Sequence, residues 1–178
     1  MQKNSKKIYR KIGILGGTFD PPHVGHLFIS KQSLKKFKLN KIIWIITKQN
    51  PFKKKPLLDK NIRIKLSKNL TKSAKKIFVE YIDDIVKSKN TFLTLKYLKK
   101  KNKSSKLYFI MGADNLINFH KWKNWKKITK LAKIIVFSRH PYSKKALNSI
   151  AAKKLEKSDW QYISGKKINI SSSLIRKF

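Results

Sequence analysis

Short apolar segments alternate along the chain with segments in which apolar residues recur at helical spacing. Continuous apolar runs predict strands, and they cover residues 12–15, 42–47, 77–79, 107–111 and 134–137. The second run, IIWIIT, is apolar on both faces, which is typical of a strand buried inside a parallel sheet. The periodic segments predict helices, and they cover residues 24–37, 59–70, 91–100 and 125–131. A short strand over 168–170 and a helical turn from Ser172 complete the predicted elements.

This alternation of strands and helices predicts βαβ units and a parallel sheet. We therefore predict an α/β fold, a Rossmann-like doubly wound parallel sheet. Residues 1–178 are expected to form a single domain, with residues 1–10 as the candidate for a flexible tail. In such folds ligands bind beyond the carboxyl ends of the strands. Glycine and polar residues follow four predicted strands, at Gly16-Gly17, Asn50-Pro51, Gly112-Ala113-Asp114 and Ser138-Arg139.

Composition narrows the classes of protein that fit. The chain has 178 residues, 40% of them hydrophobic, and no apolar stretch reaches the roughly 18 residues of a membrane span. Residues 1–7 are mostly charged or polar and no long apolar run follows them, so no secretory signal is predicted. The absence of cysteine excludes disulfides and thiolate metal sites. We expect a cytoplasmic protein without a membrane partner, either a monomer or a small homo-oligomer.

The net charge is unusually high: 45 Lys and Arg against 8 Asp and Glu give +37. Such an excess indicates either a polyanionic partner or compositional drift on solvated faces. The lysines occupy nearly every segment, and only Arg10, Arg63, Arg139 and Arg176 are arginine. Readers of nucleic acid usually employ arginine for forked contacts, so the pattern favours drift, and no specific nucleic acid is expected. A positive surface attracts anionic substrates in either case.

The segment GGTFDPPHVGH, residues 16–26, carries the most chemistry. Gly16 and Gly17 follow a predicted strand, where they can take positive φ and let the backbone approach a ligand. The proline pair that follows stiffens the turn, so the next helix begins after it. His23 and His26 then share one face of its first turn. A helix N-terminus with two imidazoles is suited to phosphate.

Two other interpretations of this segment were considered. Two histidines three residues apart could bind a metal, but a zinc site needs three or four protein ligands and no third one is evident. The glycines could also belong to an ordinary βα loop. The sequence has neither GxGxxG nor GxxxxGK[ST], so the dinucleotide fingerprint and the P-loop do not apply.

A second candidate anion site is ISSSLIR, residues 170–176. Ser171 or Ser172 can cap a helix start, and the Arg176 guanidinium can fork onto a phosphate. Taken alone, the segment is better explained as a capped C-terminal turn. Together with the first motif it predicts a second phosphate cradle.

These two motifs carry a family resemblance. GGTFDPPHVGH resembles the GGTFDPxHxGH signature of the bacterial nicotinate-nucleotide adenylyltransferases, within the HxGH nucleotidyltransferase superfamily, and ISSSLIR is similar to that family's ISSTxIR. The resemblance covers residues 12–176. It implies the nucleotidyltransferase fold and the transfer of AMP from ATP to nicotinic acid mononucleotide, which releases pyrophosphate during NAD synthesis. It also implies Mg²⁺ as cofactor, bound mainly through the ATP phosphates.

The resemblance assigns roles residue by residue. It implies catalytic roles for His23, His26 and Arg176. It places another set of residues around ATP: Gly16, Gly17, Thr18, Phe19, Gly25, Arg139, Ser171, Ser172 and Ser173. Ser173 stands where the family often has threonine. Many relatives continue past this motif, whereas this sequence ends at Phe178. Either the tail is dispensable or the branch is short-tailed, and we expect a more open ATP site.

The middle of the chain supplies candidates for the second substrate. MGADNLINFHKWKNW is similar to the family's G-x-D then W pattern, which places Asp114 on the nucleotide and Trp122 on the nicotinate ring. Helix capping by the aspartate and core packing by the tryptophan are the open alternatives. The resemblance also places Thr91 near the nicotinate carboxylate, with Asn90 in place of a tyrosine. In NPFK, similar to the family's NPxK, Lys53 falls near a phosphate.

Three rival functions remain at this point. A sister enzyme would use phosphopantetheine or nicotinamide mononucleotide as acceptor, and the middle motifs favour the nicotinate branch over it. A nucleic-acid-binding protein would use the charge of +37 and would leave both motifs unexplained. An inactive relative is disfavoured by the retained histidine and Ser-Leu-Ile-Arg elements.

Overall fold

The computed structural model describes residues 10–50, 52–165 and 172–175, with the backbone alone for Ser173 and Leu174. Its strands are β1 (Arg10–Gly17), β2 (Lys41–Ile46), β3 (Ile77–Tyr81), β4 (Ser105–Gly112), β5 (Ala132–Phe137) and β6 (Trp160–Ile163). The helices are α1 (Val24–Lys36), α2 (Lys60–Thr71), α3 (Thr91–Lys101), α4 (Ala113–Asn118), α5 (Trp125–Thr129), α6 (Ser143–Leu147), α7 (Ile150–Lys154) and α8 (Ser172–Ile175). A 3-10 turn, Phe119–Lys121, follows α4.

All six strands pair in parallel, in the order β3-β2-β1-β4-β5-β6. The chain therefore begins in the middle of the sheet, winds outward to β3, and then crosses over to β4 on the other side of β1. This crossover creates the switch point at which doubly wound folds bind ligands, between the carboxyl ends of β1 and β4. The predicted α/β fold with a doubly wound parallel sheet is confirmed.

The sheet separates two hydrophobic layers because successive strand side chains point to opposite faces. In β2, Ile43 and Ile45 pack with the layer under α3, α4 and α5. Ile42, Trp44 and Ile46 pack with the layer under α1 and α2. All five apolar residues of β2 are at most 4% exposed. The prediction of a strand buried on both faces is thus confirmed.

Several short elements were not predicted. β6 contains Gln161 in its four residues, and α4, α6 and α7 have only five or six residues, too few to show a period. The helical turn from Ser172 is confirmed, whereas the predicted strand over 168–170 lies outside the described residues. Within the described part of the chain, no helix combines the length and apolar character needed to cross a membrane.

Candidate active site

A cleft of about 1480 Å³ opens along the carboxyl ends of the strands. This exceeds the roughly 300–1,000 Å³ of common small-molecule pockets, which suits a site for two nucleotides. The predicted residues that line it are Gly16, Gly17, Thr18, Phe19, His23, Gly25, His26, Lys53, Thr91, Asp114, Trp122, Arg139 and Ser172. The structure therefore brings the predicted residues of both substrates to one place. Ser171, Arg176 and the side chain of Ser173 lie outside the described residues.

The two motif histidines form a reciprocal cap at the start of α1. The Gly25 N–H donates to His23 Nδ1 over 3.1 Å, and the His23 N–H donates to His26 Nδ1 over 3.2 Å. Their ring centroids lie 3.8 Å apart. Since the Gly25 amide is already bonded, it is not free to bind an anion in this state. The imidazoles, rather than this helix amide, are therefore candidate donors to a phosphate.

These bonds fix which imidazole nitrogen carries the proton. A neutral imidazole that accepts a hydrogen bond at Nδ1 holds its proton at Nε2. Both rings accept at Nδ1, so both present Nε2–H as their remaining donor. Each ring lines the cleft. The pair is thus arranged as two neutral hydrogen-bond donors.

The surroundings keep both rings neutral. Burial, with a smaller contribution from the positive charge of Arg139, lowers the pKa of His23 from 6.5 to about 4. Burial also lowers the pKa of His26 well below 6.5, and His23, Arg139 and Lys53 lower it further. At neutral pH the positive charge of the site therefore comes from lysine and arginine, and not from the histidines.

The neutral histidines predict a loss of stability in mild acid. Between the ordinary pKa of 6.5 and the folded value of about 4, the unfolded chain binds more protons at His23 than the folded chain does. The free energy of unfolding should therefore fall as the pH drops through this window. His23→Asn keeps a side chain that caps well but cannot titrate, so its decline should be shallower.

Urea denaturation of both proteins at about pH 7 and about pH 4.5 measures this difference. Asp114, whose lowered pKa also makes the folded protein lose stability in acid, is present in both proteins, so its contribution cancels in the comparison. Equal declines in the wild type and His23→Asn would show that His23 is not held neutral by the fold.

The loop between β1 and the histidines adopts an unexpected backbone conformation. Gly16 and Gly17 could take positive φ, but neither does, and no other described glycine has positive φ. Phe19 does instead, with φ of 49°. Its ring lies 4.7 Å from the His26 ring and 4.9 Å from the stacked Trp44 ring, measured between centroids. Phe19, a buried aromatic residue in an unfavourable backbone conformation, thus packs against the catalytic candidate His26.

Asp114 joins two of the predicted cations. Lys53 Nζ lies 2.9 Å from Asp114 Oδ2, and Arg139 Nη1 lies 3.2 Å from Oδ1. Burial opposes ionisation of this carboxyl, yet the attraction of Lys53 and Arg139 outweighs it and lowers the pKa of Asp114. Three residues from three separate segments, the loop after β2, the first turn of α4 and the loop after β5, therefore form one charged cluster on the cleft wall.

The structure removes one of the two interpretations of Asp114, that of a helix cap. The N-cap of α4 is Gly112, and it makes no side-chain capping bond, so Asp114 is not a helix cap. A Cβ on residue 112 would lie 2.6 Å from Asp114 Oδ1. Glycine at this position is therefore needed for the carboxylate to reach both cations.

Trp122 and Thr91 line the same cleft from the β4 side and the α3 side. Trp122 is half-buried, and its ring meets those of Phe109 and Phe119 edge to face. It therefore has a packed edge and a part exposed to the cleft. Thr91 is the first residue of α3, which Asn90 caps by accepting from the Phe92 N–H over 2.9 Å. The asparagine that replaces the family's tyrosine is thus a helix cap.

The beginning and the end of the chain meet at the cleft. Ser172 Oγ donates to the Pro21 carbonyl over 2.8 Å, across 151 positions of sequence. This bond ties the first turn of α8 to the loop that precedes His23. Ser172 of the second motif therefore lies beside the first motif at the cleft.

Three buried polar residues near the site were missed by sequence reasoning. Asp83 accepts from the Thr47 hydroxyl and the Lys48 N–H, and Asp20 accepts from the Leu57 and Leu58 N–H groups. Arg63 donates to backbone carbonyls of three segments. Their partners are distant in sequence, so spacing could not reveal them. One signal was available for Arg63, which is one of only four arginines in a chain of 41 lysines.

Comparison with known families places residues 14–178 in the cytidylyltransferase-like family. With the sheet order and the cleft at its switch point, this match defines the chain as a nucleotidyltransferase domain.

The relatives identify the branch. A protein of Pelagibacter ubique named a probable nicotinate-nucleotide adenylyltransferase is 49% identical over 98% of this chain and 95% of its own length. A Bradyrhizobium protein of the same name is 31% identical over 93% of this chain and 95% of its own length. The chain belongs to the nicotinate-nucleotide adenylyltransferase family.

Solved structures agree on the fold. Plasmodium falciparum nicotinic acid mononucleotide adenylyltransferase complexed with NaAD matches 96% of this chain and 84% of that chain, with a TM-score of 0.74. The same enzyme complexed with APC also matches with a TM-score of 0.74. At 21% and 20% sequence identity, these likenesses show the shared fold.

Proposed function

We propose that this protein transfers the adenylyl group of ATP to nicotinic acid mononucleotide, giving nicotinic acid adenine dinucleotide and pyrophosphate in NAD biosynthesis. The observation that carries the proposal is the placement of the histidine pair, the Asp114 cluster and Trp122 along one cleft at the switch point. Family membership supports the choice of acceptor, because the relatives carry the name of this activity.

In the proposed mechanism the 5′-phosphate of the mononucleotide attacks the α-phosphorus of ATP in line. A new phosphoanhydride bond forms as the bond between the α- and β-phosphates breaks, and pyrophosphate leaves with the bonding electron pair. No covalent enzyme intermediate is required, because positioning and charge stabilisation supply most of the catalysis of phosphoryl transfer. The Nε2–H groups of His23 and His26 donate to phosphate oxygens as charge develops on them.

The remaining predicted residues hold the two substrates. Lys53 and Arg139 provide positive charge for phosphates, and Asp114 fixes their positions and contacts the nucleotide. Ser171, Ser172, Ser173 and Arg176 form the second phosphate cradle. Thr91 contacts the nicotinate carboxylate, and Trp122 stacks on the electron-poor ring.

Mg²⁺ is the proposed cofactor, bound mainly through the ATP phosphates. Among the described residues no group of three or more His, Asp or Glu side chains forms a metal site. The carboxylates that line the cleft, Asp20, Asp83 and Asp114, already accept bonds from protein donors. The protein therefore offers no ready carboxylate cage, which fits a metal held by substrate and water. When bound, Mg²⁺ neutralises charge on the phosphate oxygens.

Isotope labelling tests the position of attack. ATP labelled at the α-phosphorus should pass its label to the dinucleotide, whereas label at the β- or γ-phosphorus should appear in pyrophosphate. Label from the α-phosphorus found in pyrophosphate would contradict the proposed attack.

Trp122→Ala should raise the KM for nicotinic acid mononucleotide about tenfold and leave the KM for ATP nearly unchanged. The expected size follows from about 0.5–2 kcal/mol for a cation against an aromatic face. Steady-state kinetics with each substrate varied in turn provide the measurement. Trp125→Phe is the control, since Trp125 does not line the cleft and meets Phe119 edge to face. Equal effects on both KM values would remove Trp122 from the nicotinate site.

The remaining expectations concern partners and location. We propose that ATP and nicotinic acid mononucleotide are the specific partners, without nucleic acid, and that the protein acts in the cytoplasm as a monomer or small homo-oligomer.

A further inference from the structure

Arg63 is a buried arginine outside the cleft whose contacts all lie at the edge of the active site. It belongs to α2 and is 2% exposed. Its Nη1 donates to the carbonyls of Thr18 over 2.6 Å and Thr47 over 2.8 Å. Its Nε donates to the Leu58 carbonyl over 3.1 Å. Thr18 follows β1 and Thr47 follows β2, so one guanidinium joins the ends of two neighbouring strands.

Asp20 makes the second attachment of the same loop. Its two carboxylate oxygens accept the N–H groups of Leu57 and Leu58, each over 2.9 Å, and the residue is 3% exposed. The loop Thr18 to Asp20 is therefore fastened at one end to α2, through Arg63, and at the other end to the segment that leads into α2. We call these two attachments the Arg63–Asp20 clamp.

Phe19 lies between the two attachments. A phenylalanine with φ of 49° is unfavourable on its own, so the surrounding structure must hold it. The clamp fixes the residue on each side of it, and the Phe19 ring in turn packs against His26 and Trp44. The clamp thus reaches the His26 imidazole through one aromatic ring, and Arg63 itself does not line the cleft.

We propose that Arg63 is a positioning residue for adenylyl transfer: with Asp20 it holds Phe19, and thereby the His26 imidazole, in the reactive arrangement. The proposal rests on the proposed function above for its kinetic effect. Arginine is required because its planar fork reaches carbonyls of three separate segments, whereas a lysine ammonium is a single point of contact. The chain has 41 lysines and four arginines, and Arg63 is one of those four.

The test compares Arg63→Lys, Asp20→Asn and the double variant with the wild type. Arg63→Lys should lower kcat about tenfold to a hundredfold, as small misplacements of reacting groups do, while each KM changes less than about threefold. Ser67→Ala is the matched control, because Ser67 is fully buried on the same helix and its hydroxyl has no partner among the described residues. It should keep the wild-type kcat.

The double variant separates a shared clamp from two independent effects. If both residues act through the same loop, the double variant should lose little more kcat than the worse single variant. Losses that multiply would overturn the shared role. Asp20→Asn keeps the shape and one acceptor, so it tests the clamp even where Arg63→Lys folds poorly.

A readout that needs no turnover completes the test. The chain has four histidines, so their ring signals can be followed by NMR. The His26 signal should shift in Arg63→Lys, because the nearby Phe19 ring moves, and it should stay in place in Ser67→Ala. An unmoved His26 signal, or a wild-type kcat in Arg63→Lys, would refute the positioning role. If the wild-type protein shows no adenylyl transfer but the His26 signal still shifts in Arg63→Lys, only the proposed function is refuted.

Discussion

Replacement of His26 by alanine should lower kcat about 10²–10³-fold and leave the fold intact. Loss of one donor aimed at developing charge costs roughly this factor in other enzymes. His26 presents Nε2–H to the cleft because its Nδ1 is occupied by the His23 N–H. The same bond caps α1, so the variant should also lose about 1 kcal/mol of unfolding free energy. Pyrophosphate release at saturating substrates measures the first effect, and urea denaturation measures the second.

His120→Ala serves as the comparison for His26→Ala. His120 lies in the 3-10 turn and is not among the residues that line the cleft. This variant should keep kcat within about twofold, as expected for a change away from the chemistry. An unchanged kcat in His26→Ala would remove His26 from the proposed mechanism and leave it as a helix cap.

Replacement of Asp114 by asparagine should lower kcat about tenfold to a hundredfold. The change removes the charge that holds Lys53 and Arg139 in place, and a charge-assisted bond such as the one from Lys53 contributes about 1.5–3 kcal/mol. The two cations remain, with less negative charge beside them. Inorganic pyrophosphate should therefore inhibit the variant more strongly than the wild type, at about a several-fold lower concentration.

The opposite directions of these two effects distinguish the Asp114 cluster from general damage. A misfolded cleft would lose both turnover and pyrophosphate binding. Asp84→Asn is the matched control, since Asp84 pairs with Lys60 at the exposed surface and does not line the cleft. It should change neither quantity by more than about twofold. Weaker pyrophosphate inhibition in Asp114→Asn would contradict the assigned arrangement of charges.

The sequence was sufficient for β1 to β5, because each contains a continuous apolar run, but not for β6. A continuous apolar run such as IIWIIT leaves few alternatives, and β2 occupies residues 41–46 of the predicted 42–47. The site residues followed from the motif at 16–26 and from the rule that ligands lie beyond the strand ends. Both signals depend on residues that are close together in the sequence. The many lysines that give the chain its charge of +37 therefore do not obscure them.

The remaining features depend on contacts that are distant in sequence. Arg63 bonds to Thr18 across 45 positions, and Lys53 to Asp114 across 61 positions. Neither pairing leaves a periodic pattern. The left-handed residue is Phe19 and not a neighbouring glycine, because tertiary packing of its ring outweighs local preference. These contacts form only in the folded chain, where the loops at the strand ends come together, so the sequence alone does not predict them.

The choice of acceptor is the central claim, and one measurement tests it directly. Pyrophosphate release from ATP and Mg²⁺ should be followed with nicotinic acid mononucleotide, nicotinamide mononucleotide and phosphopantetheine in parallel. We predict release with nicotinic acid mononucleotide and little or none with the other two. Release with another acceptor alone would contradict the assignment of Thr91, Asp114 and Trp122 to a nicotinate site, and no release with any acceptor would contradict adenylyl transfer itself.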